Sequence, residues 1–475
     1  MMKKKLIEYE KEYYPFHMPG HKQGRVNPLK GYDFFKMDLT ETDMSDDLFH
    51  PKAYIKESLD RAKNLYKTLK TYYLVNGSSS GLMTAISACT KRGDQILIQR
   101  NSHHAVYNGV YANGLDPLYI YPSYNEELGL FGGINPDNLR QLLITNPDIK
   151  AVVITSPSYE GLILDIEMIA GIVHEYNKIL IVDEAHGAHL FFYDFTPDSA
   201  LAFGADIVVQ SLHKTLPALT QTALLHINSN CVDIDIVDFY YQMYQTSSPS
   251  FVLVASIDSC INYMTSRSLA KQMAYKEMLF NFRNQIKQLE HIGLMDDDFI
   301  TQLAKSKPMY IKAVDPTRLT FIGKKGLLDG KGLDEALQTR FKLVFEMASL
   351  NYIVGISSLA DTLKGFGLLY DSIELIGAMY CVDEKSSCQT DADFGIIKVV
   401  DKVMKPSDAA DYDVTEIELD QAEGRICSDY IKVYPPSIPI LVPGERITRS
   451  MINYIKQLDA FVIHGITDNK LKVLQ

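Results

Sequence analysis

Ile179-Leu180-Ile181-Val182-Asp183-Glu184-Ala185-His186-Gly187 and Ile207-Val208-Val209-Gln210-Ser211-Leu212-His213-Lys214-Thr215 share one design. In each, a short apolar run of the kind that forms a strand buried on both faces stops abruptly in residues that carry chemistry. A lysine delivered by a strand into the interior leaves water, and desolvation lowers its pKa toward the neutral amine, the form that condenses with an aldehyde. A carboxylate and an amine at the carboxyl ends of successive parallel strands fall in the crevice where open α/β sheets bind ligands. Taken singly, Lys214 reads more readily as a chain returning to solvent and Asp183 as a common helix cap. Their conjunction, with His and Ser around the lysine, points to a site.

Working outward, further β-type runs occur at 72–75, 95–99, 118–121 and 151–155. They alternate with helical patterns at 80–91, 135–144 and 166–176, where apolar residues recur three and four apart. Such alternation predicts an α/β fold, a large mainly parallel sheet with helices on both faces. The segment before it, 14–51, is rich in Pro, Gly, His and Asp and reads as an arm. Residues 257–292 read as one long helix, and beyond Asp298 a second α+β pattern includes apolar runs at 318–322 and 353–356. The organisation expected is an arm at 1–50, a major domain at 51–292 and a smaller α+β carboxy-terminal domain at 293–475. Residues 383–393 and 405–413 read as polar connectors, and the prolines between 434 and 445 as an extended segment wedged between elements.

The 475 residues suffice for two or three domains with large cores. A net charge of -12 with no dense basic patch argues against nucleic acid as a partner. Glu8, Glu10 and Glu12 follow the opening lysines where a signal peptide needs an apolar core. No apolar run approaches the roughly 20 residues that span a bilayer, so a cytoplasmic protein away from membranes is expected. Cys89, Cys231, Cys260, Cys381, Cys388 and Cys427 show no close pairing and read as reduced, structural thiols, and no metal site is expected.

Gly77-Ser78-Ser79-Ser80-Gly81 lies between a strand and a helix whose Leu82, Ala85, Ile86 and Cys89 share a face. Free amides and hydroxyls at such a helix start make a phosphate cradle, although a plain serine cap has the same appearance. Ser211 and His213 stand ready to complete it. Asn101-Ser102-His103-His104 places imidazoles at another strand end, where His103 can stack on a flat ring. Asp183 would hold a ring nitrogen protonated, with Ala185 and His186 on the same edge. These roles together suit pyridoxal phosphate, which needs an amine, an acid facing its pyridinium nitrogen and a phosphate site.

Matching pieces along nearly the whole chain then resemble the pyridoxal-phosphate-dependent ornithine/lysine/arginine decarboxylases of fold type I, in their compact bacterial form. They are Pro19-Gly20-His21-Lys22, Asp38-Leu39-Thr40-Glu41, Asp46-Asp47-Leu48, Asn76-Gly77-Ser78-Ser79-Ser80, Arg100-Asn101-Ser102-His103, Asp183-Glu184-Ala185-His186-Gly187, Ser211-Leu212-His213-Lys214, Thr246-Ser247-Ser248-Pro249-Ser250, Tyr434-Pro435-Pro436-Ser437-Ile438-Pro439 and Pro443-Gly444-Glu445. The chain differs from the family pattern at His104, Ala105 and Ser437, and it leaves no room for the amino-terminal wing domain of the large inducible enzymes.

The resemblance implies that Lys214 bonds the cofactor aldehyde, Asp183 pairs with the pyridinium and His103 stacks on the ring. It assigns phosphate binding to Ser79, Ser80, Ser211 and His213, with Ser247 reaching across from a neighbouring subunit of a homodimer. Lys214, or His213 beside it, would return a proton to the substrate. The implied reaction removes the α-carboxylate of lysine, arginine or ornithine to give an amine and carbon dioxide. Candidate carboxylates for the substrate's cation are Asp38, Glu41, Asp43, Asp46, Asp47 and Glu445. Rival readings are another fold type I enzyme, such as an aminotransferase, and a non-catalytic regulator that kept the fold.

Overall fold

The computed structural model describes residues 1–323, 328–380, 400–434, 438–458 and 462–475. The connector expected at 383–393, together with Cys381, Cys388, Pro435, Pro436 and Ser437, lies outside the described residues.

Seven strands form the central sheet: β1 (Lys70–Leu74), β2 (Gln95–Gln99), β3 (Asp116–Ile120), β4 (Ile149–Thr155), β5 (Ile179–Asp183), β6 (Ile207–Ser211) and β7 (Ala223–Ile227). Their spatial order is β1-β7-β6-β5-β4-β2-β3. Strands β2 to β6 pair in parallel, whereas β7 runs antiparallel to both β1 and β6. The sequence pattern did not single out β7, because His226 interrupts its apolar run. That imidazole is buried, with Thr71 Oγ1 at 2.9 Å and Gln210 Oε1 at 3.3 Å, so the sheet interior tolerates it.

Alternation along the strands sends successive side chains to opposite faces. Ile181, Val209 and Ile98 pack with Leu82 and Ile86 of α1 (Gly77–Cys89) and with Val106 and Val110 of α2 (His104–Ala112). Leu180, Val182 and Val208 pack on the other face with Leu139 and Leu143 and with Ile169 and Val173, from helices Pro136–Thr145 and Ile166–Glu175. Fully covered on both faces, the strands hold their carboxyl ends at one edge of a rigid core.

The long helix expected at 257–292 is two helices, α3 (Phe251–Ser266) and α4 (Leu269–Ile286), followed by strand β8 (Ile292–Leu294). Ser268 stands at the break, where its buried hydroxyl donates to the Met264 carbonyl at 2.8 Å. Strands β9 (Arg318–Gly323), β10 (Met347–Ala348) and β11 (Tyr352–Ile356) complete an antiparallel sheet ordered β8-β9-β11-β10. Residues 400–475 carry their own apolar core around Leu419, Ile431, Ile452 and Val473. They meet the central sheet through a buried Arg100–Glu445 pair at 3.2 Å.

The amino-terminal arm is stitched into this frame. Tyr14–Phe16 pairs in parallel with Leu343–Phe345, and a helix the sequence pattern had not indicated, Met2–Glu12, precedes it. The Gly20 amide donates to the His213 carbonyl at 2.8 Å, and a Cβ at Gly20 would lie 2.4 Å from the Thr215 carbonyl carbon. Only glycine lets the arm lie this close to the segment that carries Lys214. Among the described residues, no helix is long and apolar enough to cross a membrane.

Candidate functional site

Strands β5 and β6 pair so that Asp183 stands opposite Val209. Beyond β6, one helical turn, Leu212–Thr215, turns Lys214 back across the sheet edge until its Nζ lies 3.0 Å from His186 Nε2. Burial lowers the Lys214 pKa, while the charges of Asp183 and Glu346 pull it back and that of Arg318 lowers it further. Asp183, 3% exposed, accepts the Ala185 amide at 3.1 Å. Burial raises its pKa and the Lys214 charge opposes that rise. A desolvated acid of this kind is stabilised by any cationic N–H brought to it. Ala185 and His186 are buried beside it, and burial keeps the His186 ring neutral.

The loop between β1 and α1 supplies the second wall. Gly77 adopts φ +76°, a left-handed turn that opens a 13-residue helix with its first amides free. Ser211 Oγ donates to Ser78 Oγ at 2.8 Å, which ties the end of β6 to that loop. Ser79 is half-buried at the same helix start. The Ser80 hydroxyl is occupied within the loop, donating to the Gly77 carbonyl at 2.8 Å and accepting from Gln245 Nε2 at 2.6 Å. Ser80 therefore braces the loop, and Ser78 takes the place beside Ser211. Ser247 is exposed in the segment just past Gln245, after helix Ile234–Tyr244.

Two further imidazoles have fixed roles. His213 Nδ1 donates to the Thr222 carbonyl at 3.0 Å, which leaves Nε2 as a free lone pair, and burial pushes its pKa down to about 4. His103 caps α2 by accepting the Ala105 amide on Nδ1 at 3.2 Å. Burial, with help from His104 and Lys214, pushes the His103 pKa down to about 3. A neutral flat ring beside Lys214 suits stacking on an aromatic cofactor. Hydroxyls and helix amides for a phosphate, a desolvated acid for a pyridinium, a neutral ring and a desolvated amine are together the donor set that pyridoxal phosphate requires.

Several site residues escaped the sequence reading. Arg318, fully buried at the start of β9, donates from Nη2 to the His186 carbonyl and to His186 Nδ1, each at 3.0 Å. It is a cation at the head of an apolar run, where Lys214 stands past the tail of one, and that charged boundary was the available signal. Glu346 accepts from Tyr159 Oη at 2.6 Å and from the Met18 amide at 2.8 Å, on a short strand connection without any sequence signature. Conversely, two carboxylates nominated for the substrate serve the fold. Asp46 accepts the amides of Asp47, Lys52, Ala53 and Ile55, and Glu445 is held by Arg100 and the Val442 amide. Asp46 spends both of its oxygens on these amides, and Glu445 takes both of its bonds on Oε2.

A mainly parallel sheet with these groups at the carboxyl ends of its strands defines a pyridoxal-phosphate enzyme of fold type I. The family model for the Orn/Lys/Arg decarboxylase major domain matches residues 2–326, and that for the C-terminal domain of the same enzymes matches residues 394–464. The chain belongs to the Orn/Lys/Arg decarboxylase family. It is 31% identical over 469 residues to an arginine decarboxylase of Bacillus subtilis (strain 168), covering 97% of this chain and 94% of that relative. The Francisella novicida lysine decarboxylase LdcF superposes with a TM-score of 0.79 at 19% identity, over 99% of this chain and 80% of the other. The structure of SPT with PLP shares the architecture at a TM-score of 0.53 and 14% identity, over 68% of this chain and 76% of the other. The protein is a pyridoxal-phosphate-dependent decarboxylase of a basic amino acid.

Proposed function

We propose that the substrate is arginine and that Lys214, Asp183, His103 and His213 carry its decarboxylation. The substrate choice is supported by the 31% identity to an arginine decarboxylase, whereas the likeness to the lysine decarboxylase structure, at 19%, speaks for the fold alone. The role assignment rests chiefly on one observation, the desolvated Lys214 amine that meets an imidazole nitrogen beside the buried Asp183.

Bound pyridoxal phosphate supplies an electron sink for the pair left behind when the bond to the carboxylate breaks. Asp183 would hold the proton on the ring nitrogen, and the low polarity around the carboxylate would strengthen that contact. His103 fixes the ring plane. Ser78, Ser79, Ser211 and the first amides of α1 hold the phosphate. Ser80 and Gln245 keep that loop in shape. Lys214 Nζ would hold the cofactor and would move a proton at the substrate α-carbon, with the bare Nε2 of His213 as the neighbouring acceptor. Glu346, anchored by Tyr159 and Met18, contributes the negative charge that draws a cationic substrate inward.

The working unit is a homodimer, with Ser247 reaching the partner's phosphate site. Large apolar side chains left exposed at Phe35 and Met44 in the arm, and at Phe239 and Met243 on the helix that leads to Ser247, support a covered face there. A cytoplasmic setting is supported by Cys260 and Cys427, buried free thiols whose pKa burial raises. The purified protein with pyridoxal phosphate, offered arginine, lysine and ornithine separately, should release carbon dioxide and form agmatine fastest. Faster diamine formation would reassign the substrate, and a keto acid would mark an aminotransferase.

A further inference from the structure

Arg318 is an anomaly among the buried cations. It is fully buried, and its Nε and Nη1 have no hydrogen-bond partner among the described residues. All its hydrogen bonding is done by Nη2, which has two hydrogens and spends one on the His186 carbonyl and one on His186 Nδ1, both at 3.0 Å. A guanidinium is donor only, so His186 Nδ1 must be a bare acceptor. In a neutral imidazole with a bare Nδ1, the ring proton sits on Nε2. That nitrogen lies 3.0 Å from Lys214 Nζ, so the N–H points at the lysine, and the lysine can take this bond only through a lone pair. An ammonium there would set two donors against each other.

We infer that Arg318 is a positioning residue which, acting through the tautomer of His186, holds Lys214 as the free amine before the cofactor arrives. The effect propagates through one ring: guanidinium to Nδ1, Nε2–H to Nζ. Other charged or titratable groups act on Lys214 as well. Asp183 from β5 and Glu346 favour the ammonium, whereas the field of Arg318 disfavours it. His103 and His213 flank it and stay neutral through burial. The balance leaves the amine lowered from its ordinary value. The inference rests on Lys214 being the residue that bonds the cofactor, and that premise has its own test. Borohydride reduction of the wild-type enzyme loaded with pyridoxal phosphate must leave an adduct at Lys214, and its absence would sink the premise whatever Arg318 does.

The inference is tested in the full-length apoenzyme, without turnover. The pH dependence of Lys214 acetylation by a neutral reagent, followed by peptide mass spectrometry, gives its apparent pKa. Arg318→Met raises that midpoint by about one unit, a tenfold loss of free amine below it, and Arg318→Lys, which still donates to Nδ1, restores it. In a His186→Phe background, where only the direct field of Arg318 remains to be lost, Arg318→Met adds a clearly smaller shift. An unshifted midpoint in Arg318→Met, or a full shift that persists without His186, overturns the inference. The wild-type enzyme supplies a measurement independent of any variant's folding. Nitrogen-15 spectra of labelled histidine, with the His186 signals identified by their loss in His186→Phe, show a protonated Nε2 and a bare Nδ1. The opposite tautomer overturns the inference outright.

Discussion

Two lysines follow histidines in this chain, His21-Lys22 in the arm and His213-Lys214 at the sheet edge, and both end up buried. Their fates differ. Lys22 Nζ donates to the carbonyls of His17 at 2.8 Å and Ile356 at 2.6 Å. Burial lowers its pKa to about 8, against the pull of Asp361 and Glu346. Carbonyl oxygens only accept, so Lys22 is fixed as a donor that ties the arm to β11. Lys214 faces a ring nitrogen that carries a proton. Burial alone thus does not make an amine a nucleophile; the donor or acceptor character of what it touches decides the matter.

Lys214→Ala should lower kcat by about 10³-fold or more while the unfolding temperature stays near that of the parent, and residual turnover close to normal would erase the distinction. Asp183→Asn, which cannot hold the ring nitrogen protonated, should cost about 10²-fold or more in kcat with the cofactor still detectable by its absorbance. Lys22→Met should act mainly on stability, by about 2–4 kcal/mol in denaturant titrations, because two buried carbonyls and the nearby Asp361 lose their cation. A loss of turnover at unchanged stability would instead place Lys22 in the chemistry.

The smallest effect concerns the imidazoles. Burial holds His103 and His226 at about 3 and His213 at about 4, all below the ordinary 6.5. On acidification the unfolded chain takes up these protons first, so stability is complete above pH ~6.5 and falls as pH drops toward ~4, by about 2 kcal/mol per group at pH 5. His226→Gln should flatten that slope by one proton. An unchanged slope would mean that His226 titrates normally in the folded protein.

Strands β5 and β6 could be read directly because an apolar run that halts at an acid or an amine fits little besides a buried strand opening into a site, and the structure places Asp183 and Lys214 at one edge as that pattern requires. The sequence was silent wherever a side chain's duty depends on a distant partner. Ser80 and Ser78 look alike in the chain, and only Gln245 decides which of the two braces the loop. Glu445 read as a substrate acid, yet Arg100, far away in sequence, holds it. The helical pattern of 257–292 ran on through the break at Arg267 and Ser268, which no residue there announces in the sequence. Arg318 carried a charged-boundary signal, as Lys214 did, but lay in the smaller sheet, away from the run of parallel strands that frames the lysine.

Strand β1 touches the central sheet only through β7, with Leu74 paired to Ala223 and Lys70 to Ile227. On a ribosome, the glycine-serine loop that follows β1 therefore waits for roughly 150 more residues before its strand has a neighbour, a long contact of the kind that slows assembly. Lys214 emerges shortly before that closing strand. The glycine-serine loop and the lysine are thus locked together by a single late zipping event, and a nascent chain halted before Ala223 should display neither in its final place.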